Sequence, residues 1–187
     1  MNRFLPALLS ILLGACVSFT PIPREGMLAV QQEVWWTRMR ALCGGAFEGH
    51  LVEGNATDSA FVRNRLVIRV DECREGEMAI RFHVGDDHSR TWLVRRTEDG
   101  LNLRHRHLHE DGTEGSPTNY GGDTQGPGTA IRQDFHADSA TARMLPAAAR
   151  NVWTMEVMPG RAFGYALRRE GTDRRFRVEF DLRRPAR

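Results

Sequence analysis

The chain contains no lysine; all of its basic residues are arginine. Mechanisms that need a neutral lysine amine, such as Schiff-base formation, are therefore excluded. No Gly-x-Ser-x-Gly elbow, His-Glu-x-x-His, Walker loop or Gly-x-Gly-x-x-Gly occurs, so the common hydrolase and nucleotide-binding signatures are missing. Nor is there a concentrated positive region. The 26 basic and 24 acidic residues are scattered along the chain, and nucleic acid is not an expected partner. Nothing in these patterns requires catalysis, and the reading leans away from an enzyme. No apolar run reaches the ~18 to 20 residues that a membrane-spanning helix needs. At 187 residues, 41% hydrophobic, the chain is sized for one domain with a real core.

What is present begins with "MNRFLPALLSILLGACVSFT": a charge at Arg3, an apolar run from Phe4 to Leu13 interrupted by Pro6, then small residues before Cys16. This reads as an export signal. Leu13-Gly14-Ala15-Cys16 resembles the lipobox of bacterial lipoprotein precursors. The resemblance implies that residues 1–15 are removed, that Cys16 carries the lipid, and that residues 16–26 form a tether. An ordinary cleaved signal is the alternative. Val17 and Ser18 replace the aspartate linked to inner-membrane retention, so the resemblance implies the outer membrane, facing the periplasm, with the lipid as the membrane contact.

Three cysteines are an odd number for an exported chain unless one has another task. With Cys16 assigned to lipid, Cys43 and Cys73 remain. They flank two strand-like runs, "GAFEGHLVEG" and "VRNRLVIRVDEC", around the turn-rich "NATDSA". Folding back about residue 58 sets 43 opposite 73, and a disulfide there would add roughly 3 to 4 kcal/mol of stability in the chain-entropy picture. Two buried free thiols are the alternative; a redox pair is disfavoured without a Cys-x-x-Cys.

Residues 27–42 place Leu28, Trp35, Met39 and Leu42 at helical spacing, ending at Gly44-Gly45. The pattern then changes to period two. Leu66, Ile68 and Val70 alternate with charged neighbours, as do Met78, Ile80, Phe82 and Val84, and later Phe176, Val178, Phe180 and Leu182. Nine strands are expected: 45–53, 62–72, 76–84, 89–97, 101–109, 129–136, 152–158, 162–169 and 174–183. Their short connections favour sequential antiparallel pairing. The expected fold is mainly β, an up-and-down antiparallel barrel of about nine to ten strands over 27–187, with an N-terminal helix and a short helix from Ser139 that Pro146 interrupts. A helix before such a barrel resembles the lipocalins and other calycins, which implies a small apolar ligand inside, although "GGAFEG" has Phe47 where their Gly-x-Trp would stand. "HRHLHEDG", "YGGDT" and "RRFRVEFDL" together also resemble secreted proteobacterial proteins, a likeness that brings no activity with it.

In "LRHRHLHEDG", His105, His107 and His109 share strand parity with Leu101 and Leu103 and are expected to point inward. Neighbours on that face stand ~6.5 to 7 Å apart, close enough for imidazoles to share a transition metal such as zinc. The stretch also resembles part of the first cupin motif, with His107 and His109 followed by Glu114 and Gly121, but lacks a second motif. The competing reading is a polar end to the barrel lumen, its imidazoles hydrogen-bonded among themselves and to water. His50, His83 and His88 receive no functional reading.

"YGGDTQGPG", residues 120–128, is either a mobile lid or a plain connection. "RRFRVEF", residues 174–180, either attracts anionic headgroups or is a solvated face with Glu and Asp partners. Two function classes result. The first is a lipid-anchored envelope barrel that binds a small ligand, with His105, His107, His109, Tyr120 and Tyr165 as candidate contacts, or serves as a scaffold. The second is a metal-binding protein or metalloenzyme using the three histidines.

Overall fold

A computed structural model describes residues 28–186. Helix α1 (Val30–Arg40) precedes strands β1 (Ala46–Glu53), β2 (Leu66–Cys73), β3 (Glu77–Val84), β4 (Asp87–Thr97) and β5 (Gly100–His107). The second half comprises β6 (Tyr120–Thr124), β7 (Arg132–Ala137), β8 (Asn151–Met158), β9 (Ala162–Arg169) and β10 (Arg175–Pro185). Short helices α2 (Ser59–Arg63) and α3 (Ser139–Met144) lie in the β1–β2 and β7–β8 connections. Every strand pairs antiparallel with its sequence neighbours, and β1 closes on β10, giving a ten-stranded barrel. That is the up-and-down barrel the alternation predicts.

Parity decides what the barrel encloses. Met78, Ile80 and Phe82 of β3, Trp92 and Val94 of β4, and Leu101 and Leu103 of β5 are all buried, while Arg81, Arg95 and Arg104 face outward between them. Each large apolar side chain so buried contributes about 1.5 to 3 kcal/mol relative to exposure.

One end of the barrel is sealed by α1. Trp35 and Met39 are fully buried, and Trp35 meets Phe135 edge to face at 6.3 Å between centroids. Polar contacts fix the helix across the β6–β7 loop: Gln32 Nε2 donates to Thr124 Oγ1 (3.0 Å) and to the Gly126 carbonyl (3.2 Å), and Arg38 donates to the Ala130 carbonyl (2.7 Å). Glu33 in the first turn pairs with Arg96, whose guanidinium lies over the Trp36 ring at 5.8 Å. Acid in the first turn and Arg38 and Arg40 in the last also suit the helix dipole.

A disulfide joins Cys43 and Cys73, whose Cα atoms are 6.2 Å apart. The strands pair one residue away from the register anticipated from a turn at residue 58, with Ala46 opposite Arg69. The cause is the connection itself: residues 56–63 form a 3-10 turn and α2 rather than a tight turn plus the start of a strand. The expected 62–72 strand therefore begins only at Leu66.

The second departure is β6. "YGGDT" is neither a lid nor a plain connection but a strand between β5 and β7. Its glycines serve close packing. A Cβ on Gly121 would overlap the Leu103 carbonyl, and one on Gly122 would overlap the His136 carbonyl. Only residues without a side chain let these backbones approach. The outer side of β6 is clasped by α3, where Thr141 Oγ1 accepts from the Gly121 N–H (2.7 Å) and donates to its carbonyl (2.8 Å). Asp138 caps that helix by accepting from the Thr141 N–H at 2.7 Å. The expected short helix from Ser139 is thus present, and Pro146 opens a separate 3-10 turn after it.

Cys16, the expected signal and the tether lie outside the described residues.

Candidate binding site at the open end of the barrel

The end opposite α1 holds a cavity of about 350 Å³. It opens where α2, the facing parts of β3 and β4, the β5–β6 loop, the 3-10 turn at 146–148 and the β9–β10 turn meet. Aromatic rings make most of its wall. Trp92 stacks on Tyr165 at 4.1 Å and on Phe82 at 4.9 Å, while Trp153 lies 5.0 Å from the His105 ring. Phe61 of α2 reaches across the mouth to stack on Phe82 (5.9 Å) and meet Phe176 edge to face (4.8 Å). An aromatic concavity with few polar groups is the usual form of a small-molecule site.

The polar groups of the floor come from β5, β6 and β9. His105 is buried and its ring stacks parallel to Tyr120 at 4.7 Å. Its Nδ1 is 3.2 Å from the Tyr120 carbonyl and its Nε2 is 2.6 Å from the Tyr165 hydroxyl. A carbonyl can only accept, so Nδ1 carries the hydrogen and Nε2 accepts from the Tyr165 O–H. Burial drives the His105 pKa down to about 3; His107 and Arg104 push the same way, and the Tyr120 carbonyl opposes them. Burial likewise raises Tyr165 well above the ordinary tyrosine range and raises Tyr120 against the opposing charge of Arg90. His107, half-buried with Nε2 3.3 Å from the Tyr120 hydroxyl, is lowered by burial and then by Arg90. The floor is neutral at pH 7.

The rim is charged. Arg174 holds Asp58 through both Nη groups, at 2.5 Å to Oδ2 and 2.8 Å to Oδ1, and the Asp58 side chain is only 6% exposed. Arg90 pairs with Asp87 and lies over Phe61 at 5.9 Å. The carboxyl of Asp87 falls to about 2 despite burial, because Ser89 and Arg90 hydrogen-bond to its anion. Arg169, at the end of β9, donates from Nε to Asn151 Oδ1 at 2.9 Å.

Four of the five contacts proposed from sequence, His105, His107, Tyr120 and Tyr165, come together here. His109 does not join them. β5 ends at His107, and Leu108 makes only an isolated bridge to Glu114, so the alternation that would aim His109 inward has stopped. His109 is exposed and borders a separate outer groove of about 740 Å³ with His88 and Glu110. The donor set does not fit a metal centre: both ring nitrogens of His105 are engaged, and among the described residues no three His, Cys, Asp or Glu side chains converge. The cupin likeness fails at the same point, since Glu114 sits beyond the strand, where its carboxylate accepts from Asn119 Nδ2 at 3.1 Å.

Arg90, Trp92, Trp153, Arg169 and Arg174 were not legible as site residues from sequence. Parity places Trp92 and Arg90 on the inner face, but it says nothing of how deep along the barrel each lies. The arginines of 174–180 divide: Arg174 turns to the rim, whereas Arg177 faces out and is held by Glu156 and Glu179, each at 2.7 Å.

Comparison with protein-family models, with curated proteins and with solved structures returns no match, so the functional reading rests on the geometry of this site.

Proposed function

We propose that the chain is a lipid-anchored protein of the bacterial cell envelope, facing the periplasm, whose barrel binds a small organic molecule in its open end. The observation that carries the binding reading is the aromatic cavity of about 350 Å³ in a barrel otherwise filled by side chains and α1. A scaffold has no need of such a cavity. The anchoring part rests on the Leu13-Gly14-Ala15-Cys16 motif, and the Cys43–Cys73 disulfide suits an oxidising compartment.

The pocket is tested with N-phenyl-1-naphthylamine, a neutral aromatic probe that fluoresces in apolar surroundings. Saturable binding is expected, with quenching of Trp92 and Trp153 and loss of binding in Ala147→Trp, which places an indole at the exposed lip. No saturable binding would refute the reading. For the anchor, Cys16→Ser in cells is expected to move the protein from the membrane fraction to the soluble fraction.

A further inference from the structure

We infer that the pocket takes an amphipathic organic anion: a ring-bearing apolar body in the aromatic chamber and one carboxylate, sulfonate or phosphate at the rim. This rests on the binding reading above and narrows its ligand class.

The charge inventory of the cavity carries it. Four arginines border the space, Arg90, Arg106, Arg169 and Arg174, with a single carboxylate, Asp58. Asp58 is spent on Arg174 in a two-pronged pair, and Arg90 is matched by Asp87 just outside. Arg106 shares the outward parity of Arg104 and also borders the outer groove with Asp86, Asp87 and Glu110, so its guanidinium is not counted here. One guanidinium group is left over. Arg169 spends only Nε, on the neutral Asn151, so the two-nitrogen edge that matches a carboxylate or phosphate has no acceptor among the described residues.

Several arginines of the outer face are paired with acids. Arg132, Arg168 and Arg177 are tied to Asp134, Glu156 and Glu179, and Arg104 to Asp138. In a chain with a formal charge of only +2, Arg90, Arg169 and Arg174 around an apolar chamber that holds one lining carboxylate, Asp58, make a local excess of positive charge. A cationic group beside low-dielectric walls attracts an anion more strongly than one in open water.

The floor assigns the other end of the ligand. His105 is neutral and its hydrogen bonds are internally satisfied, so the deep wall offers ring faces and no charge. Along β9 the inward positions run Tyr165, Leu167, Arg169, placing Arg169 about 13 Å from the floor at strand spacing. That is the length of a fused two-ring body with a terminal acid.

The test compares two probes that share one body. 8-Anilinonaphthalene-1-sulfonate differs from N-phenyl-1-naphthylamine only by the sulfonate, and both are titrated by fluorescence into the purified protein. The anion is expected to bind at least about tenfold more tightly. Arg169→Gln is expected to weaken the anion about tenfold while changing the neutral probe less than about twofold, and Arg169→Lys to recover part of the loss. Far-ultraviolet circular dichroism verifies the fold of each variant. Equal affinity for the two probes, or equal losses for both in Arg169→Gln, overturns the anion assignment and leaves a neutral pocket standing. Failure of both probes to bind overturns the pocket and the assignment together.

Discussion

The buried His105 makes acid sensitivity calculable. In the folded barrel it stays neutral until about pH 3, whereas in the unfolded chain it takes a proton near the ordinary histidine value of about 6.5. Below that value the unfolded state binds more protons than the folded one, so stability falls as pH is lowered and is regained as pH rises. Between pH 7 and pH 5 the loss from this residue alone is about 2 kcal/mol, from about 1.4 kcal/mol per pH unit once the unfolded imidazole is mostly protonated. The figure depends almost wholly on the unfolded chain, because any folded value below about 4 gives the same answer over this range.

The comparison is His105→Gln, whose side-chain amide donates to the Tyr120 carbonyl and accepts from the Tyr165 hydroxyl without titrating. Urea unfolding of both proteins at pH 7, 6 and 5 should show the wild type losing about 2 kcal/mol more than the variant. His83 and His107, also lowered by burial, act in the same direction in both proteins and cancel in the difference. Parallel stability profiles would refute the claim that His105 is neutral in the fold.

Three further outcomes are expected. Cys43→Ala/Cys73→Ala should lose about 3 to 4 kcal/mol by urea unfolding, the chain-entropy value for a loop closed across 30 residues. Gly122→Ala should cost more than about 2 kcal/mol or prevent folding because its Cβ meets backbone, whereas Gly76→Ala, where the added carbon meets nothing within 4 Å, should stay within about 0.5 kcal/mol; thermal melts of the two decide it. Asp58→Ala should cost about 3 to 5 kcal/mol, since it strips Arg174 of its buried partner, and the double variant Asp58→Ala/Arg174→Met should recover much of that in the same assay.

The barrel was legible because nearly every strand carries the same two-residue alternation, and an inner face so continuous has few ways to be covered. β6 escaped because Gly121 and Gly122 have no side chains to alternate, and the reason they are glycines lies in strands that adjoin them only after folding. Phe61 and Val62 read as the start of a strand because a short apolar run carries no periodicity of its own. For the site, parity correctly sent His105 and His107 inward, and failed at His109 because strand length sets where parity stops applying. Whether the barrel is filled or hollow was invisible for a plainer reason. Inward residues near α1 meet Trp35 and Met39, while those at the other end border the cavity, and position along the axis leaves no mark on composition. The rim arginines Arg90, Arg169 and Arg174 were hidden among twenty-three others, with no local pattern to mark which of them the fold brings to the mouth.

Among the described residues, a barrel stoppered by α1 has one doorway. Under the proposed binding function, a ligand that enters leaves by the route it came, so capture and discharge are not separated onto two faces as they are in a channel. Delivery would then require either a falling outside concentration or a recipient able to meet the doorway itself, and Phe61, lying across that threshold, is the side chain such a recipient would encounter first.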